Sequence, residues 1–360
     1  MNNTIRIQEH TLKNQVIYVG LEDSKKSWKL CIRSLGKVVK EASIPADYSN
    51  LRAYFHRHFP ECAISVIYEA GFSGFNLYDQ IGADGWRCIV TPPNKVTQEK
   101  SQRLKNDRID SRRLARVLET GDYHLCYVPD KELREDRQIS RCYEQNLKDI
   151  RQTCNRFRRL LEYHGLDRLF TPGRWTPKKY RDAWDALESM DVSESLRIAI
   201  EESRMKMEYL WETKKRLLGH LKRLSRDQKY RENADLLVSV PGIGWLTAIR
   251  FMLEIGSIDR FPRKEQFSRY LGLVPSEYSS GETERKGHIT KEGSRFIRSW
   301  LIECSWIAIK KDPALLDKFR RVLSHSGSSK IAIVAVARSL AIRIRSILVS
   351  KEAYMPGRVG

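Results

Sequence analysis

VIYVGLEDSKKSWKLCIRSLGKVVKEASI, residues 16–44, holds three β-branched apolar runs joined by short polar turns, one of them with Gly36. VIYVGLE, WKLCIRS and KVVKEASI are each the length of a strand, and the pattern predicts three successive antiparallel strands. Outward from there the signals alternate. SNLRAYFHRHF has helical spacing, AISVIYEA is a buried strand, FNLYDQIGADG is a helix ending near glycine, and RCIVTPP is a strand halted by Pro92 and Pro93. NDRIDSRRLARVLETG follows as a helix with Ile109, Leu114, Ala115 and Leu118 on its apolar side and Gly121 at its end. A short strand, HLCYVP, is expected to close the unit.

Three meandering strands followed by alternating helices and strands is the order of ribonuclease-H-like folds, although other α/β folds share parts of it. Residues 131–232 change character. Two long charged helical stretches, 131–165 and 193–224, flank a break with Pro172, Gly173 and Pro177, which suggests a helical hairpin or coiled-coil arm. Residues 233–360 read as mostly helical. There Pro241-Gly242-Ile243-Gly244 lies between two apolar helices, the helix-hairpin-helix pattern in which glycines let backbone N–H groups approach a phosphate. The same VPGIG also suits a plain interhelical turn.

The chain has 360 residues, 41% of them hydrophobic, enough for two or three folded domains. Lys and Arg outnumber Asp and Glu by 65 to 45, a formal charge of +20, which favours a polyanionic partner through counterion release. Charge sets the class of partner and leaves the chemistry open. Seven cysteines are scattered with no CxxC pair, which argues against a zinc ribbon or disulfide framework. The polar start lacks a signal-peptide core, and the apolar stretch 331–349 carries Arg338, Arg343 and Arg345, so no membrane span and a cytoplasmic location are expected.

Four acids of the first unit share a pattern. Glu22 ends the first strand and Glu69 the fourth, while Asp107 and Asp110 occupy one face of a helix start. Strand ends and a helix start can meet at one rim of an α/β sheet. Converging carboxylates repel unless a cation neutralises them, and all-oxygen ligation suits Mg²⁺, as one ion or as two about 3.5–4 Å apart. Each acid alone is better explained as a solvated helix start, an N-cap or an ion-pair partner; their joint placement favours a site.

In order and spacing, VGLEDSKKSW (19–28), YEAGFSGFNLYDQI (68–81), KNDRIDSRRLARVL (105–118), SVPGIG (239–244) and YLGLVPSEYSSGETERKGHITKEG (270–293) resemble the DEDD transposases of insertion-sequence family 110, relatives of the Piv-type DNA invertases. The resemblance spans roughly residues 16–345. It implies a RuvC-like domain over 1–130, a coiled-coil arm over 131–232 and a C-terminal transposase domain over 233–360. It further implies a recombinase acting on donor and target DNA, with bridge-RNA guidance in some members; the wide sequence separation of serine and acids adds the expectation of a homodimer or homotetramer. The family's metal-binding tetrad falls on Glu22, Glu69, Asp107 and Asp110, and its nucleophilic serine within Tyr278-Ser279-Ser280-Gly281, with Ser280 favoured. One departure is plain: the family carries aspartate followed by an uncharged residue where this chain has Glu22 and Asp23, so Asp23 stands in reserve as a ligand.

An alcohol attacks a phosphodiester poorly until it is deprotonated or the phosphate charge is neutralised. Arg285, Lys286, His288, Lys291 and Arg295 follow the serine closely and, with Gly242 and Gly244, are the candidate nucleic-acid contacts. Trp28, Trp245 and Trp300 read as core, and Trp175 as a stacking or packing residue. Three other readings compete: a metal-only junction endonuclease using water, an invertase, and a binding protein whose site has lapsed.

Overall fold

The computed structural model describes residues 12–93, 107–166, 168, 176–280, 283–290 and 293–356. Contacts divide the chain into two units, Met1–Val128 and Pro129–Gly360. In the first, β1 (Val16–Glu22), β2 (Ser27–Ser34) and β3 (Lys37–Pro45) form the expected antiparallel meander. α1 (Tyr48–His58), β4 (Ala63–Glu69), α2 (Asn76–Ala83), β5 (Arg87–Thr91) and α3 (Asp107–Thr120) follow. The five strands lie in the order β3-β2-β1-β4-β5, with β4 parallel to both β1 and β5.

Strand alternation sorts the side chains into three layers. Ile17, Val19 and Leu21 of β1 and Ile64, Val66 and Tyr68 of β4 share a core with Leu51 and Phe55 of α1 and Leu77 and Ile81 of α2. On the other face, Ile67 and Ile89 pack with Leu114 and Leu118 of α3. The expected last strand, HLCYVP, does not form: residues 122–130 are irregular. Cys126 N–H donates to Val90 O at 2.8 Å, and no strand ladder is built on that bond. One hydrogen bond fixes a neighbour without making it a strand.

In the second unit, α4 (Lys131–Tyr163) and α6 (Glu194–Leu224) are the two long helices, with α5 (Pro177–Glu188) between them. Their distal part has its own core of Phe157, Leu161, Tyr180, Trp184, Leu187 and Met207. Trp211 adds ring contacts to Tyr180 and Trp184 at 5.7 Å each. Trp175 lies outside the described residues. The near ends behave differently: Leu133, Tyr143 and Leu221 join the core of the C-terminal helices.

Those helices are α7 (Gln228–Val238), α8 (Trp245–Ile255), α9 (Lys264–Tyr270), α10 (Arg295–Ala308), α11 (Pro313–Ser326) and α12 (Ser329–Ser350). A two-stranded ribbon, β6 (Pro275–Ser280) and β7 (Thr283–Ile289), interrupts them where the sequence shows no apolar alternation to announce strands. The basic stretch of α12 is tied inward: Arg343 pairs with Asp312 at 2.7 Å, and Arg345 donates to Phe261 O at 2.8 Å and Pro262 O at 2.6 Å. Among the described residues no helix is long and apolar enough to cross a membrane. All seven cysteines are free.

Candidate active site

The first unit brings two strand ends and one helix start together because one glycine lets the helix lie flat on the sheet. Gly20 sits in the middle of β1, and a Cβ there would stand 2.0 Å from Ser111 O and 2.3 Å from Ala115 N of α3. Those are backbone atoms, so the helix itself would have to move. Two residues on, alternation turns Glu22 to this same face. On β4, Ile67 packs under α3, and Glu69 two residues later also faces it. The register pairs Gly20 with Ile67 and Leu21 with Tyr68, so Glu22 and Glu69 end neighbouring parallel strands.

Polar clamps fix the slope of α3 across the sheet. Arg33 Nε meets Glu119 at 2.6 Å, and Glu119 also accepts from Gly36 N–H at 2.7 Å. Arg112 forms a forked pair with Glu41 of β3, one arm at 2.8 Å. With its C-terminal turn held at the β2–β3 turn, the helix presents Asp107 and Asp110 in its first turn near the ends of β1 and β4. Acids suit that turn, since its free N–H groups carry partial positive charge.

The electrostatics report the crowding. Glu22 is half-buried, and its carboxyl is pushed up to about 7, first by burial and then by the charges of Glu69, Asp110, Asp107 and Asp23. Asp23 has different work: its carboxylate accepts from Ser73 N–H at 2.9 Å and holds the loop after β4. Arg113 puts a cation inside the group. Its Nη2 lies 3.0 Å from Asp110 and 3.4 Å from Glu69. As the side chains stand, no three acidic, histidine or cysteine groups among the described residues are close enough to hold an ion. The donor set nevertheless fits a hard cation, being carboxylate oxygens whose mutual repulsion raises Glu22.

The C-terminal candidates are placed as follows. Ser280 is the last residue of β6, opposite Thr283 on β7, and Ser279 pairs with Glu284. Arg285, Lys286 and His288 lie along β7, and Lys291 falls outside the described residues. Arg295 opens α10 and is exposed. Gly242 has φ +90°, and a Cβ there would meet Cys304 O of α10 at 2.5 Å, so close helix packing already demands glycine. Gly244 caps α8 and faces open space. Trp28 is buried, and Trp245 and Trp300 pack against the C-terminal core. Two residues escaped the sequence reading, Gly20 and Arg113. A glycine inside VIYVGLE was the signal for the first, and the i,i+3 spacing from Asp110 for the second.

A family model described as "Transposase IS116/IS110/IS902 family" matches residues 234–320, and the DEDD transposase model of the IS110 group matches residues 19–165. The transposase for insertion sequence element IS1111A of Coxiella burnetii is 26% identical, over 94% of this chain and 91% of its own length. The putative transposase y4qE of Sinorhizobium fredii is 28% identical, over 77% of this chain and 73% of its own. The pilin gene-inverting protein of Moraxella bovis is 28% identical over 30% of this chain and 34% of its own. All four acids fall within 19–165, and Ser280 within 234–320.

Proposed function

The chain belongs to the DEDD transposases of insertion-sequence family 110 and is a DNA transposase or recombinase, and on that premise we propose that it cuts and rejoins DNA at a site composed of the four acids and Ser280. The observation that carries this reading is the placement of Glu22, Glu69 and Asp110 at adjoining ends of β1, β4 and α3, crowded enough to raise Glu22 to about 7. We read the first unit as ribonuclease-H-like, or RuvC-like, on its strand order and its change from antiparallel to parallel pairing at β1. Within the second unit, we assign 131–232 to a coiled-coil arm and 233–360 to the transposase domain.

Glu22, Glu69, Asp107 and Asp110 would hold the metal; one or two Mg²⁺ ions there would polarise the scissile phosphate and stabilise the leaving oxygen. The Ser280 hydroxyl loses its proton as Oγ attacks phosphorus. The P–O3′ bond breaks, the 3′ oxygen leaves as a hydroxyl, and the 5′ phosphate stays joined to the serine. Arg285, Lys286, His288, Lys291 and Arg295 hold neighbouring phosphates, and the open α8 start at Gly244 offers backbone N–H groups to another. Acids and serine belong to different units, so a homodimer or homotetramer can supply them from different subunits and delay cutting until assembly. A structured guide RNA would choose the donor and target sites, and the +20 charge suits both nucleic acids.

Ser280→Ala tests the chemistry. On a matched donor substrate the native protein should give a covalent protein–DNA adduct after denaturing quench, and the variant none. An adduct of unchanged yield would exclude Ser280, and cleavage without any adduct from the native chain would favour the metal-only reading with water as nucleophile. Inversion is the one second reading with an observation behind it, the partial likeness to the pilin gene-inverting protein. It uses the same residues and is separated by whether the product is an inverted or a newly inserted segment.

A further inference from the structure

Arg113 is the least explained group in the first unit. It sits on α3 one turn after Asp110, and one nitrogen, Nη2, serves both Asp110 at 3.0 Å and Glu69 at 3.4 Å. Its Nε is buried with no hydrogen-bond partner among the described residues. A guanidinium normally places five donors, and structural arginines use them in forked pairs. The neighbouring Arg112 does so, with both arms on Glu41. Arg113 instead has a buried donor with no partner among the described residues and stands between two carboxylates that come from different elements. That is a poor arrangement for an ion pair and a good one for a charge held in a space between acids.

We propose that Arg113 is a resident counterion of the acidic group, occupying the space between Glu69 and Asp110 until a divalent cation displaces it. The proposal rests on the reading of the four acids as a divalent-ion site. Two physical reasons require displacement. Each carboxylate oxygen that turns to a small hard ion is lost to the guanidinium, because such ions demand close and regularly spaced oxygens. A unit positive charge a few ångströms from a doubly charged ion also repels it strongly where solvent screens poorly, and both acids here are less than a quarter exposed. Arg113 therefore keeps β4 and α3 together in the metal-free chain and lowers the affinity of the site for its ion. It is a positioning residue, acting through the acids.

The test is Mn²⁺ binding by the full chain without nucleic acid, read from the EPR signal of the free ion. Arg113→Gln should bind Mn²⁺ roughly ten-fold tighter than the native chain or better, while its melting temperature in EDTA falls. Arg113→Lys keeps the charge but supplies a point cation in place of the planar fork, and should bind more tightly than native but less so than Arg113→Gln. Arg116→Gln removes the same charge from an exposed position on α3 and should leave Mn²⁺ affinity within two-fold. Equal or weaker binding by Arg113→Gln, beside a native chain that binds, overturns the proposal; so does an equal gain in Arg116→Gln, which would reduce the effect to net charge. If Arg113→Gln fails to fold by circular dichroism, the Lys variant decides on the same criterion. If neither the native chain nor the variants bind Mn²⁺ at millimolar concentration, the four-acid metal site falls, and this proposal with it.

Discussion

Glu22 and Asp312 are both acids drawn out of water at the end of a secondary-structure element, and they titrate in opposite directions. Burial and four neighbouring acids push Glu22 up to about 7. Burial would raise Asp312 too, but the Tyr354 hydroxyl, the Leu315 N–H and the Arg343 guanidinium outweigh it and pull the carboxyl below its ordinary range. Asp312 caps α11, accepting from Ala314 N–H at 2.8 Å and Leu315 N–H at 3.2 Å, and its side chain is fully buried. Every oxygen there has its match. Around Glu22 the neighbouring acids Glu69, Asp110, Asp107 and Asp23 all push its carboxyl up, and Arg113 pairs with Glu69 and Asp110. Matched charge of the Asp312 kind stabilises the fold around it, whereas the like charges around Glu22 work against the folded state.

The largest effect should come from breaking the matched site. Asp312→Ala leaves the part-buried Arg343 without its carboxylate and uncaps α11, and should lower stability by about 3 kcal/mol in urea unfolding. A loss under 1 kcal/mol would mean that the pairing is incidental. Next is Gly20→Val, which must lift α3 from β1; a cost of about 1–3 kcal/mol is expected. Adduct formation should fall much further than stability, because the lifted helix carries Asp107 and Asp110 with it.

The smallest and sharpest test is Glu22→Gln in metal-free protein. With a folded value near 7 against an ordinary 4.5, native Glu22 holds its proton more tightly when folded. Its stabilising contribution is therefore complete below pH 4.5 and is lost as pH rises toward and through 7. Thermal melts of Glu22→Gln in EDTA should lack that fall and lie above the native chain at pH 8, with activity abolished. A native-like slope in the variant would assign the fall to other groups.

Much of the first unit was legible because its strands are short, β-branched and bounded by turn residues, and because a helix whose apolar spacing ends at Gly121 can hardly be anything else. HLCYVP was misread since composition registers strand propensity but not whether a partner ladder exists. The β6–β7 ribbon escaped for the opposite reason: PSEYSS and TERKGHI pair through backbone, with no alternation of apolar residues to mark them. VPGIG was read both as a phosphate-contacting hairpin and as a plain interhelical turn. Gly244 faces open space, whereas Gly242 is required by the packing of α10, which comes from residues more than fifty positions away.

For the site, the acids were visible as residue types at element ends, since strand alternation and the helical repeat are local rules. The choice between Glu22 and Asp23 leans on the Ser73 amide that occupies Asp23, a contact across the loop after β4. Local chemistry, then, determined which residues were charged, most of the strands and helices of the first unit, and a charge balance that favours a polyanionic partner. Only the tertiary structure decided that α3 lies flush on Gly20 and that Arg113 stands between Glu69 and Asp110, because distances between elements are set by packing, which no local pattern encodes.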